Sequence, residues 1–248
     1  MRRSVHRCLA VVAGFALLLA GACGYRYWAG PLVPSPGLAE NAAMEVSDDG
    51  SVTYTQGRLE ISVRPMTDEE LNRQFPGMSD DGAYSLNPYT FGNWIDPELD
   101  RVPRRFTVFR LRVKNYMYPK VLVDPLVSAV TTLNGREYAP FSLDQLEDYY
   151  MRFITGYAGN RYSDYKERRA LLRNTMYHPE MVFSGQEREG YVVFPALHPD
   201  VSTIRLALRN VAIRFDVWNE PLETVDLDYG FEREIGRVRG EGQAVESL

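Results

Sequence analysis

The chain has 248 residues, of which 45% are hydrophobic, and a formal net charge of −5. This acidic balance argues against a nucleic-acid partner, which would need a clustered basic face. The length suffices to bury one sizeable hydrophobic core without disulfides.

Residues 1–22 have the organisation of a secretory signal peptide. The N-terminal region is positively charged through Arg2, Arg3 and Arg7, and an apolar run follows from Leu9 to Ala20. About a dozen apolar residues are too few to cross a bilayer comfortably as a permanent helix. We therefore expect removal of this segment, which leaves the mature chain more acidic because three arginines are lost.

The apolar run ends in Leu19-Ala20-Gly21-Ala22-Cys23, which resembles the lipobox of bacterial lipoproteins. The resemblance implies cleavage before Cys23, diacylation of its thiol with chains such as palmitate, and acylation of the new amine. By the same resemblance, Gly24 in place of an aspartate implies sorting to the outer membrane, facing the periplasm, in a Gram-negative cell. The alternative is an ordinary signal peptide with an incidental cysteine.

Acylation at Cys23 would attach the protein to the membrane. Three acyl chains give durable anchoring without a membrane span. Cys8 would leave with the signal peptide, so the mature chain would have neither a free thiol nor a disulfide. That excludes cysteine nucleophiles, redox pairs and thiolate zinc sites.

Residues 23–50 are predicted to be the lipidated cysteine followed by a flexible tether. Pro31, Pro34 and Pro36 occur in quick succession, and this composition is typical of a semi-rigid spacer. The folded domain is expected over residues 51–235, and residues 236–248 are expected to be a disordered tail.

Strand patterns dominate the domain. In the clearest of them, residues 106–115, the alternation assigns Phe109, Leu111 and Val113 to the core face. Asn134-Gly135 is a strong tight-turn signal. Strands are also predicted at 51–55, 59–63, 121–123, 126–133, 136–138, 190–195, 204–208, 212–218 and 225–231.

Two regions interrupt the strand pattern. Residues 66–103 form a long loop, and residues 142–177 form a helical insertion with predicted caps at Ser142 and Ser163. The helices either cover a sheet face or form an accessory element that binds a partner.

Short strands separated by turn signals favour a mainly β fold, an antiparallel β-sandwich with a helical insertion. Three motifs, Val113-Lys114-Asn115, Leu133-Asn134-Gly135-Arg136-Glu137-Tyr138 and Gly190 to Pro195, resemble the immunoglobulin-like accessory domains of bacterial surface lipoproteins. The resemblance implies an immunoglobulin-like sandwich.

Compact catalytic signatures are missing from the sequence. His178 and His198 each precede a proline, as in surface turns, and their spacing matches no zinc-hydrolase motif. No nucleophile elbow or phosphate-binding glycine loop occurs. We therefore expect a non-enzymatic protein without cofactor or metal, although two of its many carboxylates could meet in a glycosidase cleft.

The best candidate for ligand binding is the aromatic segment of residues 84–94. Its rings, mixed with Asn and Gly, are typical of a loop that stacks on sugars or peptides; they are those of Tyr84, Tyr89, Phe91 and Trp94. Alternatively, this loop folds back and plugs one end of the sandwich with its own rings.

Two functions are compatible with these features. The favoured one is a lipid-anchored, extracytoplasmic β-sandwich that acts as a non-enzymatic interaction or envelope-assembly module. Its partners would be the membrane, through Cys23, and an envelope protein or glycan. The other is a cell-envelope protein that binds or cleaves carbohydrate with the aromatic loop and a carboxylate pair.

Overall fold

A computed structural model describes residues 26–35, 43–80, 85–97, 102–156, 161–238 and 246–247. The described residues are mainly β, with all the sheets antiparallel, so the predicted mainly β class is confirmed. The strands are β1 Arg26–Ala29, β2 Val33–Pro34, β3 Met44–Val46, β4 Val52–Gln56, β5 Leu59–Met66, β6 Phe106–Asn115, β7 Lys120–Leu122, β8 Ala129–Thr132, β9 Glu137–Tyr138, β10 Met181–Phe183, β11 Gln186–Pro195, β12 Thr203–Phe215, β13 Pro221–Glu232, β14 Ile235–Val238 and β15 Glu246–Ser247. The helices are α1 Asp68–Gln74, α2 Leu143–Gly156 and α3 Tyr162–Thr175.

Two sheets share one core. The first has the strand order β11-β6-β5-β4-β3, and the second has β10-β7-β12-β13-β2, with β8 and β9 beside β12. Phe109 in the first sheet packs on Phe231 in the second, with ring centroids 5.5 Å apart. The Tyr229 hydroxyl donates a 2.9 Å hydrogen bond to the carbonyl of Ile61 across the core. Leu111 and Val113 are also in this core, which confirms the predicted inward face of β6.

The helices cover one end of the outer face of the first sheet. Val108 and Val193 of the sheet form a second buried cluster with Leu146 of α2 and Leu172 of α3. Both helices lie within the segment of residues 142–177 that the sequence marks as helical. They pack on a sheet face, so they contribute to the core.

Residues 66–103 are not a single long loop, because α1 lies inside them. The Thr67 hydroxyl accepts from the backbone N–H of Glu70 at 3.2 Å, and a Glu70 carboxylate oxygen accepts from the backbone N–H of Thr67 at 3.1 Å. This reciprocal pair is a capping box, which satisfies two free donors at the start of a helix. The sequence interpretation overlooked this signal.

The two predicted caps of the later helices differ in outcome. Ser142 caps α2 as predicted, since its hydroxyl accepts from the Gln145 backbone N–H at 3.2 Å. The prediction for Ser163 is wrong, because α3 already begins at Tyr162 and Ser163 lies inside its first turn. There its hydroxyl contacts the Asp164 carboxylate at 3.3 Å.

Some predicted strands also need correction. Residues 126–133 contain a short 3-10 turn before β8, since the Asp124 carboxylate accepts from the Leu126 backbone N–H and turns the chain. The strand predicted at 212–218 ends at Phe215, and Val217 and Trp218 lie in the turn that follows.

Several described residues of the predicted tether and tail form strands. Within the predicted tether, β1 pairs with β14, and β2 pairs with the end of β13. The Ser35 hydroxyl donates to a Glu232 carboxylate oxygen at 3.0 Å. The predicted disordered tail contributes the end of β14 as well as β15. The predicted tether pairs with the sheet in spite of its Pro-rich composition, because the edge of β13 offers unpaired backbone groups.

The packing of α3 predicts a large cost for removing an apolar side chain there. Leu172→Ala is expected to lower the free energy of unfolding by about 2–4 kcal/mol, since the Leu172 side chain is fully buried. Leu133→Ala is the control, because Leu133 is 78% exposed. Urea unfolding of both variants measures the difference. Equal stability of the two variants would show that the helices do not contribute to the core.

Candidate functional site

Three buried side chains hold the aromatic segment by its main-chain carbonyls. Arg168 donates to the carbonyl oxygen of Ser85 at 2.8 Å, and Arg105 donates to that of Asn87 at 3.5 Å. The Tyr150 hydroxyl donates to the carbonyl of Pro88 at 2.5 Å. Burial lowers the pKa of Arg168. The segment is therefore anchored to the helical layer, not displayed as a free loop.

Tyr89 is a core residue. Its side chain is fully buried, with its ring 5.0 Å from that of Tyr191 in an edge-on contact. Its hydroxyl is hydrogen-bonded to that of Thr175, and burial raises its pKa strongly. Tyr89 thus presents no surface to a ligand. Its ring fills space inside the domain, as expected if the loop folds back on the sandwich.

The other predicted aromatic residues differ in position. Phe91 is half-buried under the Arg105 guanidinium, which lies 4.1 Å from its ring centroid. The half-buried Trp94 ring lies 5.8 Å from the Phe91 ring. Tyr84, like the predicted lipidation site Cys23, is outside the described residues. The sequence-predicted set therefore does not assemble into one open surface.

A groove of about 680 Å³ lies beside this segment. Trp28 lines one part of it, and Asp68 and Asn72 of α1 line another. The remaining lining comes from residues 29–31, 67, 69, 92–93, 102–104, 196–199 and 233. Six separate parts of the chain thus meet here, which explains why no local sequence motif identifies the site.

A second cavity, of about 730 Å³, continues the groove. The two cavities share Glu69, Asn72 and Asn93 in their linings. The two cavities are therefore neighbours, and together we call them the α1 groove.

Asp68 is the most perturbed carboxyl in the α1 groove. Burial raises its pKa from 3.8 to about 6, although the guanidinium of Arg104 acts in the opposite direction. A carboxyl group in this range carries a proton part of the time near neutral pH, so it can accept or donate a hydrogen bond. The Thr67-Glu70 capping box was the sequence signal that could have placed Asp68 in a helical first turn.

The charged side chains at the part of the groove lined by residues 196–199 and Arg233 bind other groups of the protein. Arg233 is buried and donates to the carbonyls of Val201 and His198, each at 2.7 Å, and burial lowers its pKa to about 10. His198 contacts the carboxylate of Asp200 at 2.6 Å, which Arg136 also holds with two hydrogen bonds.

Metal binding finds no support in the described part of the chain. His178 contacts the backbone carbonyl of Arg173 at 2.7 Å. The carboxylates of Asp226 and Asp228 both lie within 4.0 Å of the Arg209 guanidinium. Among the residues described, no group of three or more His, Cys, Asp or Glu side chains is placed to hold an ion.

The β12–β13 hairpin tip is a second exposed feature. Val217 is 86% exposed and Trp218 is 78% exposed. The turn is rigid, because one Asp216 carboxylate oxygen accepts from the backbone N–H groups of Trp218 at 2.9 Å and Glu220 at 2.8 Å. Large apolar side chains on a preorganised turn are typical of interaction hot spots.

Comparison with known proteins adds little. No protein-family model and no curated protein matches the chain. One solved structure, that of the secreted protein MPT63 from Mycobacterium tuberculosis, is similar over 68% of this chain and 92% of its own, with 12% identity and a TM-score of 0.29. A likeness at this level does not bear on the function of this chain.

The raised pKa of Asp68 predicts a pH-dependent stability. Well below its unfolded pKa of 3.8 the carboxyl is neutral in both folded and unfolded chains. As the pH rises from there towards 6, the carboxyl ionises more readily in the unfolded chain, so the wild type loses stability. The Asp68→Asn variant has no ionisable group at this position. Its free energy of unfolding should therefore be about 1–2 kcal/mol higher than that of the wild type at pH 7.

Urea unfolding at pH 4 and pH 7 measures this effect, and the advantage of Asp68→Asn should shrink at pH 4. Asp144→Asn is the control, since Asp144 also lies in a helical first turn but is exposed. An advantage that does not depend on pH would contradict the assignment.

Proposed function

We propose that this protein is a lipid-anchored, extracytoplasmic, non-enzymatic interaction module of the bacterial envelope, built as an immunoglobulin-like β-sandwich. In a Gram-negative cell it would be held at the outer membrane, facing the periplasm. The observation that carries the proposal is the rigid hairpin tip that exposes Val217 and Trp218 to solvent.

Anchoring at Cys23 would place one end of the domain at the membrane. β1 begins at Arg26, three residues after Cys23, and three residues span at most about 10 Å. None of the helices described has the length and apolar character needed to cross a bilayer. The acyl chains would therefore hold the domain close to the lipid surface.

The hairpin tip lies at the other end of the domain. The residue pair Thr203–Glu232, at the base of the hairpin, is next to Val33 of β2. β12 has 13 residues, so it extends roughly 40 Å at about 3.3 Å per residue. Trp218 would thus face away from the anchoring membrane, where an envelope partner could reach it.

Energetic arguments favour a protein partner for this tip. Val217, Trp218 and the 65% exposed Leu222 offer apolar area on a fixed turn, so little conformational entropy is lost when they bind. The charges near the tip are mixed, since Lys120 is hydrogen-bonded to the Asn219 side chain and Arg214 pairs with Glu223, so the apolar side chains would dominate recognition.

Lipidation is tested by Cys23→Ser. The variant should accumulate as an uncleaved precursor and lose labelling with alkyne-palmitate, because it lacks the acceptor thiol. Cys8→Ser is the matched control, since Cys8 lies within the predicted signal peptide. Normal processing and labelling of Cys23→Ser would overturn the proposed anchor.

Partner binding is tested by photo-crosslinking in cells. A photoreactive amino acid at position 222 should give a discrete crosslinked product, and adding Trp218→Ser should abolish it. The same probe at position 133 is the control, because Leu133 is as exposed as Trp218 but adjoins β8, near the base of the hairpin. Identical products at both positions, or none at position 222, would contradict an interaction through the tip.

A further inference from the structure

We infer that the α1 groove is a binding site for a linear, uncharged oligosaccharide. The site is distinct from the hairpin tip. Its orientation towards the membrane rests on the proposed anchor, but its ligand chemistry does not.

The shape of the groove favours a chain-like ligand. Its two cavities, of about 680 and 730 Å³, meet at Asn72 and Asn93. Each is within the size range of small-molecule sites, and the residues that they share place them side by side. A linear oligomer can occupy both cavities at once, whereas a compact small molecule would fill one.

Several groove side chains keep free hydrogen-bonding capacity. The Asn72 carbonyl oxygen accepts from the Thr90 hydroxyl at 2.6 Å and from the Asn87 amide at 3.3 Å. Its orientation is therefore fixed, while its own amide nitrogen has no partner among the described residues. Within the same part of the chain, the Asp68 carboxylate and the Asn93 side chain receive no hydrogen bond either. Hydroxyl groups, which both donate and accept, match such a mixed set.

The walls of the groove are rigid. Gly92 has a φ of +62°, and a Cβ at this position would lie 2.1 Å from the Ser79 carbonyl oxygen. The neighbouring Asn93 backbone N–H donates to the same carbonyl at 3.1 Å. On the opposite wall, the Gly30 backbone N–H donates to the carbonyl of Glu234 at 2.9 Å. A preorganised site loses little entropy on binding.

The charges favour an uncharged ligand. The groove carries three carboxylates and three guanidiniums, so opposite charges balance in number; they are those of Asp68, Glu69, Asp80, Arg73, Arg104 and Arg233. The Trp28 ring, 37% exposed, adds an aromatic surface at one wall. Aromatic rings combined with carboxylate and amide groups suit the apolar faces and hydroxyl edges of sugar rings.

The ligand could be a free glycan or the sugar of a glycolipid. Trp28 is only five residues from Cys23, so the proposed anchor would bring the groove near the sugar headgroups of its own membrane. The sugar chemistry is the same for both sources, and they are separated by experiment.

Isothermal titration of the full-length protein, in a detergent without a sugar headgroup, provides the test. The probes are the β-1,4-linked tetrasaccharides of glucose and of N-acetylglucosamine. We expect saturable binding of at least one of them, weakened at least tenfold by Trp28→Ala and by Asn93→Ala. Two variants in different parts of the groove are used, so that the test remains valid if one of them fails to fold.

Two matched controls accompany these variants. Asn174→Ala alters an exposed asparagine on α3 outside the groove, and Trp218→Ala removes the tryptophan of the hairpin tip. Both should bind sugar like the wild type. Conversely, Trp28→Ala should keep the crosslinks at position 222, so failure of the groove and failure of the tip are distinguishable.

The outcomes are decisive. Absence of binding to both tetrasaccharides, or binding unchanged in Trp28→Ala and Asn93→Ala, would overturn the inference. Binding of an unglycosylated peptide, or of anionic vesicles without sugar, in place of the tetrasaccharides would do so too. If binding is confirmed, vesicles carrying the same tetrasaccharide on a lipid will bind more tightly than the free sugar only where a glycolipid is the source.

Discussion

Burial of both faces at the end of the first sheet that holds Phe106 and Val108 is the constraint on which the rest of the structure depends. Along β6, Phe109 and Leu111 point into the core shared with the second sheet, whereas Phe106 and Val108 point into the cluster below the helices. A strand that is apolar on both faces must be covered on both. The helical layer follows from this requirement, and it supplies the frame for the α1 groove.

Two buried arginines connect this frame to the groove. Arg105 and Arg168 are almost fully buried, and a buried charge is costly unless polar groups surround it. The carbonyl groups of Ser85 and Asn87 meet part of this need. Because these carbonyls belong to the aromatic segment, the same contacts hold the chain that leads into Gly92 and Asn93. The groove wall is thus fixed by the electrostatics of the core behind it.

The β12–β13 hairpin connects the groove region with the exposed tip. At its base, β2 joins the edge of β13 and the α1 groove opens nearby through Arg233. At its far end, the Asp216 turn exposes Trp218. The proposed anchor, the proposed sugar site and the proposed partner site are therefore arranged along one rigid element. The side chains exposed at the tip are not among those that line the groove.

The sequence by itself determined the features that depend on local periodicity and composition. The alternation in residues 106–115 identified the inward face of β6, and the helical spacing within 142–177 located α2 and α3. Single polar residues were less informative. Ser163 resembles a helix cap, yet α3 starts one residue earlier, and Val217 and Trp218 continue a strand pattern that the Asp216 carboxylate ends.

Only the tertiary structure decided which aromatic residues are available to a ligand and where a groove forms. Tyr89 and Trp28 have similar local sequence character, but the first fills the space between α3 and β11 while the second lines a groove. Likewise, the Pro-rich residues 26–35 pair with β13 and β14 because those edges are near in space, not in sequence. Burial and edge pairing depend on residues far apart along the chain, so local patterns do not contain them.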